Sequence, residues 1–169
     1  MTRALAAFCA LLTLAACGAK DDNPAQAKAA SEGRKVAEAY MARNAKAEGV
    51  KTLPSGLQYK IVRSGPAGGL KPREDDEVKV HYEGKLLSGE VFDSSYERGA
   101  PAALPLRALI PGWIEALQLM RPGDEWVLYV PPKLGYGDED KGAIPPNSVL
   151  IFRIELIDVL PAPGRIGQG

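Results

Sequence analysis

The sequence predicts an α+β domain, in which an antiparallel β-sheet wraps around one short helix and a helical segment comes before it. Between about residues 50 and 160, short runs of β-branched and aromatic residues alternate with polar ones, and Gly and Pro separate the runs. A single stretch in that region has helical spacing, from Pro111 to Met120. One short helix among strands of the antiparallel type is typical of the α+β class.

The composition is that of an ordinary globular protein. The chain has 169 residues, of which 46% are hydrophobic and 25% charged, enough for one domain with extra segments at its ends. Lys plus Arg and Asp plus Glu both total 21, so the formal net charge is zero. This balance argues against a protein that binds nucleic acid, which would need a basic face.

The N-terminus resembles the export signal of a bacterial lipoprotein. Arg3 is followed by an apolar run from residue 4 to 14, too short to span a bilayer. A plain secretory signal cut near Ala16 is one interpretation. The other rests on a resemblance to the lipobox motif, in the order Leu14-Ala15-Ala16-Cys17-Gly18. That resemblance implies a signal peptide over 1–16 and lipidation of Cys17. Because Gly18 replaces the Asp associated with retention in the inner membrane, we expect an outer-membrane anchor facing the periplasm, with the inner membrane as the alternative.

Residues 17–49 are predicted to form a lipidated tether followed by a helical spacer. The first part, to about residue 30, is small, polar and Ala-rich. From Val36 to Glu48 the residues are strong helix formers, and Gly49 is a plausible end. The apolar stripe is short and has no sustained heptad, which favours a spacer over a dimerisation arm. The chain is therefore expected to be a monomer or a weak dimer.

The region 50–160 is predicted to be the folded domain, and 161–169 a flexible tail. Its strands follow in order along the chain. They are predicted over residues 57–63, 77–83, 91–94, 125–130 and 149–159, with the helix between the third and the fourth. The second alternates cleanly, with Val78, Val80 and Tyr82 on one face. Arg121-Pro122-Gly123-Asp124 ends the helix.

Conventional catalytic centres are poorly supported by the residues present. His81 is the only histidine, lies mid-strand, and has no nucleophile motif near it. Cys9 would leave with the signal and Cys17 would carry lipid, so zinc sites of the usual spacing are excluded. No phosphate-binding glycine loop is present. We expect neither a metal nor a cofactor, and we interpret Trp126 as a core residue.

A set of aromatic and apolar residues carries the functional signal. Each alone would be an ordinary core residue. Their contexts, however, resemble the FKBP family of prolyl isomerases over roughly the last 110 residues, most closely its macrophage-infectivity-potentiator branch. The matching stretches are Val80-His81-Tyr82-Glu83-Gly84, Val91-Phe92-Asp93-Ser94-Ser95, Leu109-Ile110-Pro111-Gly112-Trp113, Leu134-Gly135-Tyr136-Gly137, Ile144-Pro145-Pro146-Asn147 and Leu150-Ile151-Phe152-Arg153-Ile154-Glu155-Leu156.

The resemblance implies peptidyl-prolyl cis-trans isomerase activity on exported polypeptides, and binding of macrolides of the tacrolimus type. Trp113 would be the floor of the pocket. The Ile110 N–H and the Tyr136 hydroxyl would hold substrate carbonyls, and Asp93 would pair with Arg98 near the Tyr82 hydroxyl. The remaining walls and contacts would come from Tyr82, Phe92, Leu109, Ile110, Ile144 and Phe152.

Two positions depart from the family pattern. Ala102 falls where some relatives place another pocket aromatic, and the loop over residues 138–143 is acidic. Both are expected to alter the preference for the residue before proline. A polypeptide-binding module without isomerase activity, and a structural lipoprotein with a decayed site, are the alternatives. Relatives of this branch often carry a long dimerisation arm, whereas the segment before Gly49 is short.

Overall fold

The computed structural model describes residues 24–164, with side chains from residue 28 onward. The predicted signal peptide, Cys17 and the end of the predicted tail lie outside the described residues. Two helices and seven strands follow in the order α1 (Pro24–Asn44), β1 (Val50–Thr52), β2 (Gln58–Arg63), β3 (Glu77–Lys85), β4 (Val91–Ser94), β5 (Ala102–Pro105), α2 (Pro111–Leu117), β6 (Glu125–Val130) and β7 (Leu150–Leu160). Short 3-10 turns occupy Leu106–Ala108 and Pro132–Leu134.

The strands form one antiparallel sheet, which confirms the predicted fold class. Its order is β1-β2-β6-β7-β3-β4, and β5 also pairs with β3. Nine-residue β3 has two partners on its outer edge, because β5 pairs with its first half and β4 with its last residues. On its other side β3 pairs with β7 along its whole length. The long strands β3 and β7 therefore form the centre on which the site is built.

The alternating pattern of β3 decides which face is buried. Val78, Val80 and Tyr82 point to the core, as the sequence predicts, while His81 is half-buried on the other face. The His81 ring stacks on Tyr96 at 4.7 Å between centroids. A side-chain period of two places the whole apolar set of the strand on one side of the sheet.

Helix α2 covers that apolar face. Pro111 occupies its first turn, where a missing N–H costs nothing, and Trp113, Ala116 and Leu117 are buried. The helix ends at Leu117, and a separate turn containing Gly123, which has a φ of +92°, leads into β6. Trp126 lies in the same core, 5% exposed, stacked on Tyr59 at 4.5 Å.

Helix α1 is longer than predicted and begins earlier. It starts at Pro24, so that part of the segment interpreted as a tether is helical, and it ends at Asn44 rather than near Gly49. It is also not a free spacer, since Ala37 is only 4% exposed. This contact was not predicted, because alanine contributes little to an apolar stripe. No helix among residues 24–164 is both long and apolar enough to cross a bilayer.

Candidate active site

A pocket of about 260 Å³ opens beside the start of α2. Strands β3, β4, β5 and β7 supply its walls, together with the turn before α2 and the loop after β6. Its lining residues are Tyr82, Phe92, Asp93, Leu104, Ala108, Leu109, Ile110, Trp113, Tyr136 and Phe152. The pocket is thus mainly apolar, and residues far apart in sequence meet there.

Trp113 lines this pocket and packs against two of its other aromatic rings. The rings of Tyr82 and Phe152 each lie 5.1 Å from the Trp113 ring and stand at 85° and 87° to it. Edge-to-face contacts of this kind are favourable because the positive ring edge meets the negative ring face. Trp113 is 4% exposed, and its indole Nε1 has no hydrogen-bond partner among the described residues. Among the described residues, the indole is therefore held by packing against its neighbours.

A second aromatic pair closes one side. The Phe92 and Phe152 rings lie 5.6 Å apart at 90°. They fit because β3 carries Gly84 beneath them. A Cβ at position 84 would lie 2.7 Å from Phe152 Cε1 and 2.7 Å from Phe92 Cζ, closer than real contacts allow. The absence of a side chain at Gly84 therefore makes room for the two phenylalanine rings. This role of Gly84 was not predicted from the sequence.

A polar triad lies at the rim. The Tyr82 hydroxyl donates to Asp93 Oδ2 at 2.5 Å and accepts from Arg98 Nη2 at 2.8 Å. Arg98 also pairs with Asp93, and its guanidinium carbon lies 5.4 Å from the centroid of the Tyr82 ring. The predicted pairing of Asp93 with Arg98 near the Tyr82 hydroxyl is what the structure contains.

These contacts fix the protonation of the triad. Burial raises the pKa of Tyr82, and its hydrogen bond to Asp93 adds to this while Arg98 opposes it. Burial alone would raise the pKa of Asp93, but the hydrogen bonds from Tyr82 and Arg98 outweigh it and the pKa lies below its usual value. At neutral pH the carboxylate is therefore charged and the phenol neutral.

The buried hydroxyl of Ser95 anchors the turn that follows Asp93 on β4 and carries Arg98. Ser95 Oγ accepts from the Tyr82 N–H at 2.7 Å and lies 2.9 Å from His81 Nδ1. Ser95 is fully buried, and its own N–H donates to the Tyr82 carbonyl at 2.9 Å. This role of Ser95 was not predicted, although a small hydroxyl between a strand and a turn is a common anchor.

Two polar groups of the pocket have no partner within the described residues. The Ile110 N–H lies at the N-cap of α2 with extended backbone, and no hydrogen bond to another described residue engages it. The same holds for the Tyr136 hydroxyl, while the Tyr136 ring packs against the core. Lys141 Nζ lies 5.8 Å from the centroid of that ring and forms an ion pair with Glu139 at 2.5 Å.

The structure does not bring every predicted residue to the pocket lining. Ile144 is 7% exposed and packs in the core, and Arg98 reaches the pocket only through its contacts with Tyr82 and Asp93. Leu104 and Ala108 line the pocket but were not predicted. Leu104 lies two residues after Ala102 on β5, hence on the same face, and supplies apolar surface near the position that has only alanine.

A larger groove, of about 570 Å³, lies between α1 and the domain. It contains none of the predicted site residues. Its lining combines the inner face of the helix with the segment from Pro131 to Lys133, and with Gly137, Asp138 and Asn147. The groove therefore borders the loop that follows Tyr136.

Family models match most of the chain. Residues 68–157 match the model described as FKBP-type peptidyl-prolyl cis-trans isomerase. Residues 4–61 match the domain described as amino terminal to that isomerase. Strand β1 and the first four residues of β2 fall within the second match yet belong to the sheet.

Individual proteins agree with the family models. The chain is 52% identical over 122 residues to the peptidyl-prolyl cis-trans isomerase Mip of Coxiella burnetii, covering 72% of this chain and 52% of that protein. It is 46% identical over 136 residues to the outer membrane protein MIP of Legionella longbeachae, covering 80% and 58%. The crystal structure of FkpA from Escherichia coli superposes with a TM-score of 0.78 at 41% identity, covering 83% of this chain and 65% of that one. The chain spans about half the length of the curated relatives it matches.

Proposed function

Because the chain belongs to the family of FKBP-type peptidyl-prolyl cis-trans isomerases, we propose that it accelerates the rotation of X–Pro bonds in exported polypeptides. The observation that best supports this function is the aromatic cluster around Trp113. Trp113 lines an apolar pocket of about 260 Å³, and two aromatic rings stand nearly perpendicular to its indole. A proline ring is compact, apolar and small enough to pack against the indole of Trp113.

The reaction needs no proton transfer and no covalent intermediate. Rotation of the amide must overcome the loss of resonance, a barrier of about 18–20 kcal/mol. The twisted amide has a less polar carbonyl than the planar one, so a water-poor pocket disfavours the ground state more than the transition state. Apolar walls and a buried floor supply that environment.

Two donors would hold the backbone on either side of the rotating bond. The Ile110 N–H and the Tyr136 hydroxyl both border the pocket, and neither is engaged by another described residue. Each can donate to a substrate carbonyl without first breaking a protein hydrogen bond. The edges of Phe92 and Phe152 carry partial positive charge and would face the carbonyl that swings during rotation.

Asp93 would orient the pocket and take no proton. Its carboxylate is already bound by the Tyr82 hydroxyl and by Arg98, and its pKa lies below the usual value. Such a group cannot serve as a base near neutral pH. It holds Tyr82 in place against Trp113 instead.

A protease-coupled assay on a proline-containing peptide tests the proposal. Trp113→Ala and Tyr136→Phe should each lower kcat/KM by about tenfold or more, equal to about 1.4 kcal/mol of transition-state stabilisation. Tyr96→Phe is the matched control, because it removes a phenol outside the pocket, where the ring stacks on His81. Tacrolimus should inhibit the wild-type chain by filling the same pocket. If the wild-type chain isomerises the peptide no faster than the uncatalysed reaction, the isomerase proposal is refuted.

The same variants distinguish isomerase activity from binding of unfolded polypeptides. If the chain suppresses aggregation of an unfolded protein, and Trp113→Ala retains that effect while losing the isomerase rate, holding is a separate property. If the wild type only holds polypeptides, the chain is the binding module that the sequence analysis kept as an alternative.

The proposed domain organisation is a lipoprotein signal over 1–16, a lipidated segment and helix over 17–49, the isomerase domain over 50–160 and a tail over 161–169. Two observations support a place in the cell envelope: the lipobox-like order ending at Cys17, and a relative named as an outer membrane protein. Metabolic labelling with a radioactive fatty acid tests the anchor. Label should be incorporated into the wild-type chain and be lost in Cys17→Ser, and equal labelling of both would contradict lipidation.

A further inference from the structure

Helix α1 contacts the loop that follows Tyr136. We call residues 137–147, which run from Gly137 to Asn147, the 137–147 loop. At its end, Asn147 Nδ2 donates to the Ala30 carbonyl of the helix at 3.2 Å, and Asn147 is only 8% exposed. Gly33, one helical turn further on, allows the close approach, because a Cβ there would lie 3.1 Å from the Pro146 carbonyl oxygen.

Asn147 also closes the loop onto its own beginning. Its backbone N–H donates to the Gly137 carbonyl at 2.7 Å, and its φ is +59°. Gly137 directly follows Tyr136, whose carbonyl accepts from the Glu139 N–H at 3.2 Å. One residue therefore links the helix, the end of the loop and the peptide unit next to the pocket tyrosine.

The other end of the helix is fastened to the sheet. Gln58 is 3% exposed, accepts from Asn44 Nδ2 at 2.9 Å and donates to the Met41 carbonyl at 2.8 Å. The Tyr40 and Tyr129 rings lie 6.3 Å apart. Because α1 is tied to the domain at Ala30 and again near its C-terminal end, the helix offers the 137–147 loop a support.

We propose that Gly33 and Asn147 are positioning residues, through which docked helix α1 sets the place of the Tyr136 hydroxyl in the prolyl pocket. The inference rests on the proposed function for the role of Tyr136. Neither residue lines the pocket. Their effect passes through the Gly137–Asn147 hydrogen bond, which constrains the backbone on the C-terminal side of Tyr136.

Asn147→Gly is the sharpest variant. The left-handed backbone at +59° suits glycine, so the substitution deletes the amide side chain without adding strain. Amide hydrogen exchange at residue 147 and at Glu139 should rise by about fivefold or more as the loop opens locally. KM should rise by about threefold or more with a smaller change in kcat, because the carbonyl donor acts on both bound substrate and transition state.

Gly33→Leu tests the same contact from the helix side, and Lys35→Leu is its control. Leucine at 33 meets the loop backbone, whereas leucine at 35 lies on an exposed part of the same helix. Leucine has a higher helix propensity than glycine, so propensity alone predicts that Gly33→Leu stabilises the helix. We expect Gly33→Leu to reproduce the exchange and KM changes of Asn147→Gly, and Lys35→Leu to match the wild type.

Wild-type exchange rates in both Gly33→Leu and Asn147→Gly would overturn the proposal. Faster exchange with an unchanged KM would overturn it too, since the helix would then hold the loop without positioning Tyr136. A wild-type chain that has no isomerase activity would refute the proposed function. In that case the exchange rates alone would still decide whether the helix holds the loop.

Discussion

Gly84 lies in β3 directly beneath the Phe92–Phe152 pair, and replacing it by alanine tests the geometry of the pocket walls. The new methyl carbon would lie 2.7 Å from Phe152 Cε1, 2.7 Å from Phe92 Cζ and 2.8 Å from Phe92 Cε2. Real Cβ atoms essentially never approach so closely, so both rings must move. Overpacking of this kind costs about 1–3 kcal/mol.

The matched control is Gly68→Ala. Nothing lies within 4 Å of a Cβ at Gly68. An unstrained Gly→Ala change stabilises by about 0.4–1 kcal/mol through the unfolded chain. The difference between the two variants in the free energy of unfolding, measured by urea titration, therefore isolates the steric cost at Gly84.

Activity provides the second measurement. Displacing both rings should lower kcat/KM for a proline-containing peptide by about tenfold in Gly84→Ala, and leave Gly68→Ala at the wild-type value. If Gly84→Ala equals Gly68→Ala in stability to within about 0.5 kcal/mol and keeps wild-type activity, the argument that this glycine makes room for the aromatic walls is refuted.

Three further outcomes follow from the pocket. Trp113→Ala should lose about 3–5 kcal/mol of unfolding free energy by urea titration, because it empties a buried site against Tyr82 and Phe152. Tyr82→Phe removes the hydrogen bonds to Asp93 and Arg98 and should cost about 0.5–1.5 kcal/mol in the same measurement. The isomerase rate should be flat over roughly pH 6–9 in a pH profile, since the pKa of Tyr82 is raised above 10.0 and that of Asp93 is lowered below 3.8.

Asp93 decides how the stability of the fold changes at acid pH. Its folded pKa is lowered, so the stability it contributes is present above its unfolded pKa and is lost as the pH falls through the folded value. Asp93→Asn should remove that part of the pH dependence. A rate that changes strongly between about pH 6 and 9 in the wild type would contradict catalysis without proton transfer.

Strand positions were predictable because the sheet buries one face. The alternation of Val78, Val80 and Tyr82 shows directly in the sequence, and the predicted strand over 125–130 coincides with β6. The short strands β1 and β5 were missed. Ala102–Pro105 contains two alanines and a proline, which have weak strand preference, and it pairs only because β3 offers a free edge there.

Site residues were predictable where they lie in a recognisable sequence motif. They were not predictable where their role depends on which residues lie next to them in space. Trp113 and Tyr136 came from recognisable stretches, whereas Leu104 and Gly84 matter through neighbours that are distant in sequence. The docking of α1 was missed for a similar reason. A single buried alanine, at Ala37, and a glycine at Gly33 leave no periodic signal, yet they permit close contact.

The position of β7 determines when this chain can fold. The last strand of the sequence, Leu150–Leu160, lies between β3 and β6 at the middle of the sheet. While the ribosome is still adding those residues, the two halves of the sheet have no partner to join them and the apolar face stays open. The domain must therefore fold after β7 has been made, and until then the growing chain is available to chaperones.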